Sequence, residues 1–143
     1  MTRSEAALCT QRVVIGAIFL AQGYRKVVSG PGAPHGRAEL ENVLRTRGLP
    51  APGVVALMTG MVELTCGGLV LVGLKTKQAA VPLAGVVGVA IVGFKWHDGF
   101  LGGWDWPLSV LAGCLSLAAD GSGSWSADRT FHKIRIARMR QRG

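Results

Sequence analysis

A chain of 143 residues has room for one compact domain, and at 49% hydrophobic and 17% charged, with a mean hydropathy of +0.35, it is more apolar than an ordinary soluble domain. The net charge of +8 invites a nucleic-acid partner, but the basic residues are not interleaved with stacking aromatics and they collect behind the last apolar run, so no nucleic acid is expected. Three distant cysteines, Cys9, Cys66 and Cys114, with no C-x-x-C, argue against a disulfide framework, a zinc site or a dithiol redox centre.

The first apolar run, Val13 to Tyr24, is too short to cross a bilayer. Extended over 6–28 it is long enough, provided that Arg12 and Lys26 snorkel to opposite interfaces. A cleaved signal peptide is the competing reading, because Arg3 and Arg12 precede an apolar core and Ala21-Gln22-Gly23 resembles a small-x-small cleavage site. From Ser29 to Pro52 the chain is polar and bounded by Gly/Pro clusters. Within it Ala38 to Arg47 reads as a short helix with Leu40, Val43 and Leu44 on one face, lying on the membrane or capping a bundle.

Val54 to Leu74 is the clearest span, 21 residues that rise roughly 31 Å with one charge, Glu63, near the middle. After the basic turn Lys75-Thr76-Lys77, a third span is predicted over 79–95, with Pro82 near its start, where a missing donor costs least. The connection to the fourth holds Trp96, Trp104 and Trp106, with His97, Asp98 and Asp105, as at a membrane interface. Asp105 is placed to cap a short fourth span over 104–120 whose first turn contains Pro107. The fold class is therefore all-α, an integral membrane four-helix bundle, followed by a basic tail over 129–143.

In this arrangement ten Lys and Arg lie on the side of the termini and six on the other, which predicts cytoplasmic termini in a bacterial inner membrane. The tail, with Phe131 and Ile134 among its cations, suits anionic lipid at the membrane surface or an acidic enzyme.

Glu63 is the first site candidate, because a carboxylate at mid-bilayer must be paired, protonated or set beside a polar cavity. Helical spacing surrounds it with Thr59, Gly60, Cys66 and Gly67, so a neighbouring helix can come close. Arg12, Gly16 and Gly23 share a stripe of the first helix with Lys26 a turn further on. The two cations either anchor the helix at the interfaces, bind an anion or reach toward Glu63. Gly85 and Gly88 are predicted to pack the third span. His97, Asp98 and Asp105, with His35 from the other loop, match no standard ligand spacing, and a solvated loop explains them better than a metal site.

Arg12-x3-Gly16, Phe19-x3-Gly23-x2-Lys26, Gly48-Leu49-Pro50, Gly60-x2-Glu63-x3-Gly67-Gly68 and Gly73-Leu74 before the basic turn, closed by the Gly121 to Asp128 segment, resemble the DoxX family of small bacterial membrane proteins. The resemblance implies a four-helix membrane fold. For some relatives it implies membership of membrane-bound oxidoreductase assemblies, including a thiosulfate:quinone oxidoreductase and a complex with sulfur-handling and superoxide-removing enzymes. Many relatives carry a histidine near the position of Gln22, which here can hydrogen-bond but not titrate.

The expected function is a membrane subunit, not catalytic alone, that anchors or couples a redox enzyme, with a quinone or lipid between its helices and other subunits as partners. A small-solute or proton transporter is the alternative, and a purely structural assembly subunit the third. The chain has no haem-binding pair, Cys cluster, nucleotide loop or nucleophile triad.

Overall fold

The computed structural model describes residues 3–28, 36–121, 123 and 126; His35 and the tail over 129–143 lie outside the described residues. These form α1 (Arg3–Val27), α2 (Arg37–Thr46), α3 (Pro52–Val72), α4 (Thr76–Ala90) and α5 (Asp105–Asp120), with no strand among the described residues. The four apolar helices α1, α3, α4 and α5 pack as a bundle, and the amphipathic α2 lies across one end, packed mainly on α3 through its buried Leu44.

α1, α3 and α4 with its extension to Asp98 are long and apolar enough to cross a membrane. α5 is not: its 16 residues rise about 24 Å, short of a hydrocarbon core of about 30 Å. It is held in the bundle through Val110, Cys114 and Leu117, which are buried with Val70 and Leu83 in the common core.

The seam between α1 and α3 is the tightest part of the fold. Its buried positions are Arg12, Gly16, Phe19, Gly23 and Lys26 on α1 and Ala56, Gly60, Glu63, Gly67 and Val70 on α3, each series alternating steps of four and three. That 3.5-residue period keeps one face of each helix against the other along its length. The glycines bring backbone onto backbone. A Cβ on Gly23 would lie 2.3 Å from the Leu64 nitrogen, one on Gly16 2.7 Å from Leu71 Cα, and one on Gly67 2.8 Å from the Leu20 nitrogen. Gly85 and Gly88, predicted to pack in the same way, do not: a Cβ at either would meet nothing within 4 Å.

Helix ends explain the other departures from the sequence reading. α3 stops at Val72 because Gly73 turns left-handed at φ 74° and Leu74 N–H returns to Leu69 C=O at 2.9 Å, a Schellman stop. α4 starts at Thr76, so Pro82 lies inside the helix and not near its start. Asp105 does not cap α5: the cap position is Trp104, and Asp105 sits in the first turn, where its charge complements the helix dipole. At the α3–α4 turn Lys77 Nζ donates to Ala119 C=O at 2.6 Å, which ties the turn to the end of α5.

Beyond Ala90 the helix widens to a π turn over Ile91–Lys95 and tightens to a 3-10 turn over Trp96–Asp98 before Gly99, at φ 82°, reverses the chain. Trp96 and Trp104 then stack at 5.7 Å, with Phe100 edge-on to Trp104 at 4.9 Å. Leu101 and Trp106 project outward beside them, an apolar and aromatic rim of the kind found where a bundle meets the lipid headgroups.

Candidate functional site

Glu63 faces the bundle interior and accepts a hydrogen bond from Lys26 Nζ at 2.5 Å; the two side chains are only 6% and 11% exposed. The heptad phase that puts Lys26 in the α1–α3 seam brings it there. Gly60 lets it pass: a Cβ on Gly60 would lie 2.6 Å from Lys26 Cβ, so the lysine stem occupies the space a larger residue would fill and reaches Glu63 one turn along. The ammonium thus points into the bundle and does not snorkel to an interface.

Three cavities meet at this pair. A chamber of about 420 Å³ between α3 and α4, roofed by Leu40 and Leu44 of α2, is apolar apart from Lys26, Thr59 and Glu63. A vestibule of about 320 Å³ is more polar, with Gln22, Glu39, Lys95 and Asp98 around Lys26. A third space of about 230 Å³ runs toward α5, between Phe19, Gln22, Glu63, Trp106 and Val110. Lys26 lines all three, Gln22 the second and third, and Glu63 the first and third.

The roof is fastened by a residue that the sequence reading passed over. Arg47, just past α2, donates to Gly93 C=O at 2.9 Å and Phe94 C=O at 3.4 Å and lies 5.8 Å from the Phe94 ring centroid. Those carbonyls belong to the π turn, where the regular helical ladder is interrupted. Within α2, Arg45 pairs with Glu41 at 2.8 Å, which firms the same short helix.

Other predicted residues lie elsewhere. Arg12 is buried beside Gly73, about 21 Å from Lys26 along α1, so it is not part of this site. His97 and Asp98 are exposed on the 3-10 turn, with Asp98 facing the vestibule, and Asp105 is on the first turn of α5. Among the described residues no three of His, Cys, Asp and Glu come together as a metal site. Gln11 was missed: its Nε2 donates to Gly113 C=O at 3.2 Å and its Oε1 accepts from Ser116 Oγ at 3.4 Å, clasping α1 to α5. Its offset of about a third of a turn from the glycine stripe was the available signal.

Chemically, the pair is neutral overall and sits at the edge of an apolar chamber. An ammonium has three donors and a carboxylate about four acceptor sites, and their mutual contact uses one of each. A molecule with an uncharged head that accepts hydrogen bonds, with or without a donor of its own, matches that wall. A head with net charge does not, because burial would leave its charge uncompensated.

The chain is 36% identical over 135 residues to an uncharacterized membrane protein of Mycobacterium tuberculosis, Rv3486, a match covering 85% of this chain and 79% of that protein. No solved structure matches it. The DoxX family model matches residues 7–96, which take in the glycine seam, the Lys26–Glu63 pair and the chamber walls on α3 and α4, and on that match the chain belongs to the DoxX family.

Proposed function

We propose that this protein is the membrane subunit of a redox enzyme complex, which it anchors or couples in the bacterial inner membrane, and that a quinone or lipid occupies the chamber beside Lys26 and Glu63. The observation that carries the reading is the chamber itself: about 420 Å³, apolar, and closed on one side by a buried ion pair. That combination of a mostly apolar pocket and a few convergent polar groups is typical of small-molecule sites. The redox part is supported by the family's presence in oxidoreductase assemblies, and the electron carriers would belong to partner subunits. With α5 crossing alongside the other three despite its length, the termini would be cytoplasmic, and the basic tail would bind anionic lipid. A reporter fused after Gly143 and active only outside the inner membrane would reject that orientation.

The test is binding and company together. Protein in nanodiscs is titrated with a decyl-substituted benzoquinone while tryptophan fluorescence is followed, and native membranes are solubilised gently to identify what co-purifies. Saturable quenching that weakens at least tenfold in Glu63→Leu, with oxidoreductase subunits co-purifying, is the expected result. A protein that binds no quinone and purifies alone would sink the proposal.

One observation favours a second reading. The polar vestibule meets the chamber at Lys26, as a transporter of protons or small solutes would need. Proton uptake into proteoliposomes under an imposed potential, abolished by Glu63→Gln in preparations whose circular dichroism shows the helices still folded, would favour it over the first.

A further inference from the structure

We infer that the chamber opens sideways into the bilayer between α3 and α4, with Gly85 at the opening, so that its ligand is a bilayer-dissolved molecule whose head meets Lys26 and Glu63 and whose apolar tail lies out through this window. The inference rests on the reading that the chamber holds such a molecule, and adds what kind of molecule it is and how it arrives.

Apart from the meeting with the polar vestibule and the third space at the Lys26–Glu63 pair, the other sides of the chamber are closed. The α1–α3 seam is closed by glycine-to-backbone contact. Toward α5, beyond the Lys26–Glu63 pair, lies the smaller third space, lined by Phe19, Val87 and Val110 of the core. The end is covered by Leu40 and Leu44 of α2, which Arg47 holds to the π turn of α4.

Between α3 and α4 the situation is different. Val55 and Val89 line the chamber and are also 37% and 64% exposed, so the wall there is the lip of an opening. Met58 and Val81, on the same two helices, and Val92, on the π turn that follows α4, are exposed and apolar as lipid-facing residues are. Gly85 stands between them as a chamber-lining residue with no atom within 4 Å of where its Cβ would be. It is about 14 Å along the helix from Thr76 and about 20 Å from Asp98, the two ends of the α4 span. The opening therefore faces hydrocarbon and not water.

Gly85 also lacks the reason that the seam glycines have. A glycine inside a helix is destabilising relative to alanine, and at Gly16, Gly23, Gly60 and Gly67 close backbone approach requires it, whereas nothing in the packing requires Gly85. A side chain there would narrow the window. The wall chemistry sets the ligand class: the route in is apolar, so the bulk of the ligand is apolar, and the pair at its end is neutral overall, so the head is uncharged and accepts from Lys26, a hydroxyl-bearing head such as a quinol also donating to Glu63.

The experiment uses Gly85→Phe, with Gly88→Phe as its control: Gly88 has the same open surroundings but does not line the chamber. Each full-length protein in nanodiscs is titrated with the decyl-benzoquinone and with the same benzoquinone lacking the decyl chain. Gly85→Phe should bind the tailed probe at least tenfold more weakly than wild type while binding the tail-less probe within twofold, and Gly88→Phe should match wild type for both. Solvent extraction of the purified proteins distinguishes a quinone from a diacyl lipid as the native occupant, and Gly85→Phe should carry less than a tenth of whichever wild type carries. Unchanged binding of the tailed probe by Gly85→Phe would overturn the window and leave the chamber reading standing. Equal loss of both probes would overturn it too, since the new ring would then be filling the head site. If wild type itself binds neither probe, the reading of the chamber falls and takes the window with it.

Discussion

Replacing Lys26 with methionine keeps most of the stem volume and removes the ammonium, leaving the Glu63 carboxylate in a site where its side chain is 6% exposed. Removing one partner of a buried ion pair costs about 3–5 kcal/mol, because the remaining charge is left uncompensated. An ordinary interhelical hydrogen bond in a membrane protein averages about 0.6 kcal/mol and reaches at most about 1.7. The two descriptions of the contact therefore differ by several-fold. From sequence alone Glu63→Gln is expected to leave folding almost untouched; with Lys26 as its partner it should instead fall in the same range as Lys26→Met. Combining the two removes both charges, so the double variant should recover much of the loss, with a coupling energy of at least about 2 kcal/mol. Unfolding in mixed detergent micelles followed by the emission of the four tryptophans reads all three variants. Single losses that simply add in the double variant, to within about 0.5 kcal/mol, would refute the claim that the two groups hold each other in the bundle.

Gly23→Ala should destabilise by about 1–3 kcal/mol through overpacking against the α3 backbone, whereas Gly88→Ala, in open space, should be neutral or gain up to about 1 kcal/mol; thermal unfolding of both variants checks the contrast. Arg47→Ala removes two hydrogen bonds and a cation–π contact from an exposed site, so a loss of about 1 kcal/mol is expected. Its specific mark should be faster amide hydrogen exchange in α2, and unchanged exchange there would show that Arg47 does not hold the roof. Gln11→Leu should cost about 0.6 kcal/mol, at most about 1.7, seen as earlier thermal loss of α5 packing, because the clasp to Gly113 and Ser116 goes with it.

Much of the bundle was legible because lipid imposes simple rules. Long apolar runs become helices, since no other local structure satisfies the backbone in hydrocarbon, and α3 could be read directly from Val54 onward. What could not be read were features set by contacts distant in sequence. Whether a glycine packs depends on what stands opposite it: Gly60 and Gly67 meet α1, whereas Gly85 and Gly88 meet nothing. The fastening of α2 was hidden for the same reason, because the carbonyls that Arg47 finds are offered by a π turn some 45 residues away, and composition does not announce a π turn.

The fate of Arg12 and Lys26 was legible, but through phase and not hydropathy. Hydropathy alone makes each a terminal cation of a marginal span and sends it to the nearest interface. The two are fourteen residues apart, two heptads, and Gly16 and Gly23 fall in phase between them, so the face that packs against α3 must carry both cations with it. A residue in the middle of a helix–helix seam cannot snorkel outward without unpacking the seam. Each cation must instead be met from inside the fold, and at the Lys26 end the group in phase to meet it is the carboxylate at mid-span on α3. Taken separately, Glu63 and Lys26 are an expensive anion and an ordinary anchor. Taken in phase they form one neutral polar site, placed by the same glycine pattern that builds the bundle.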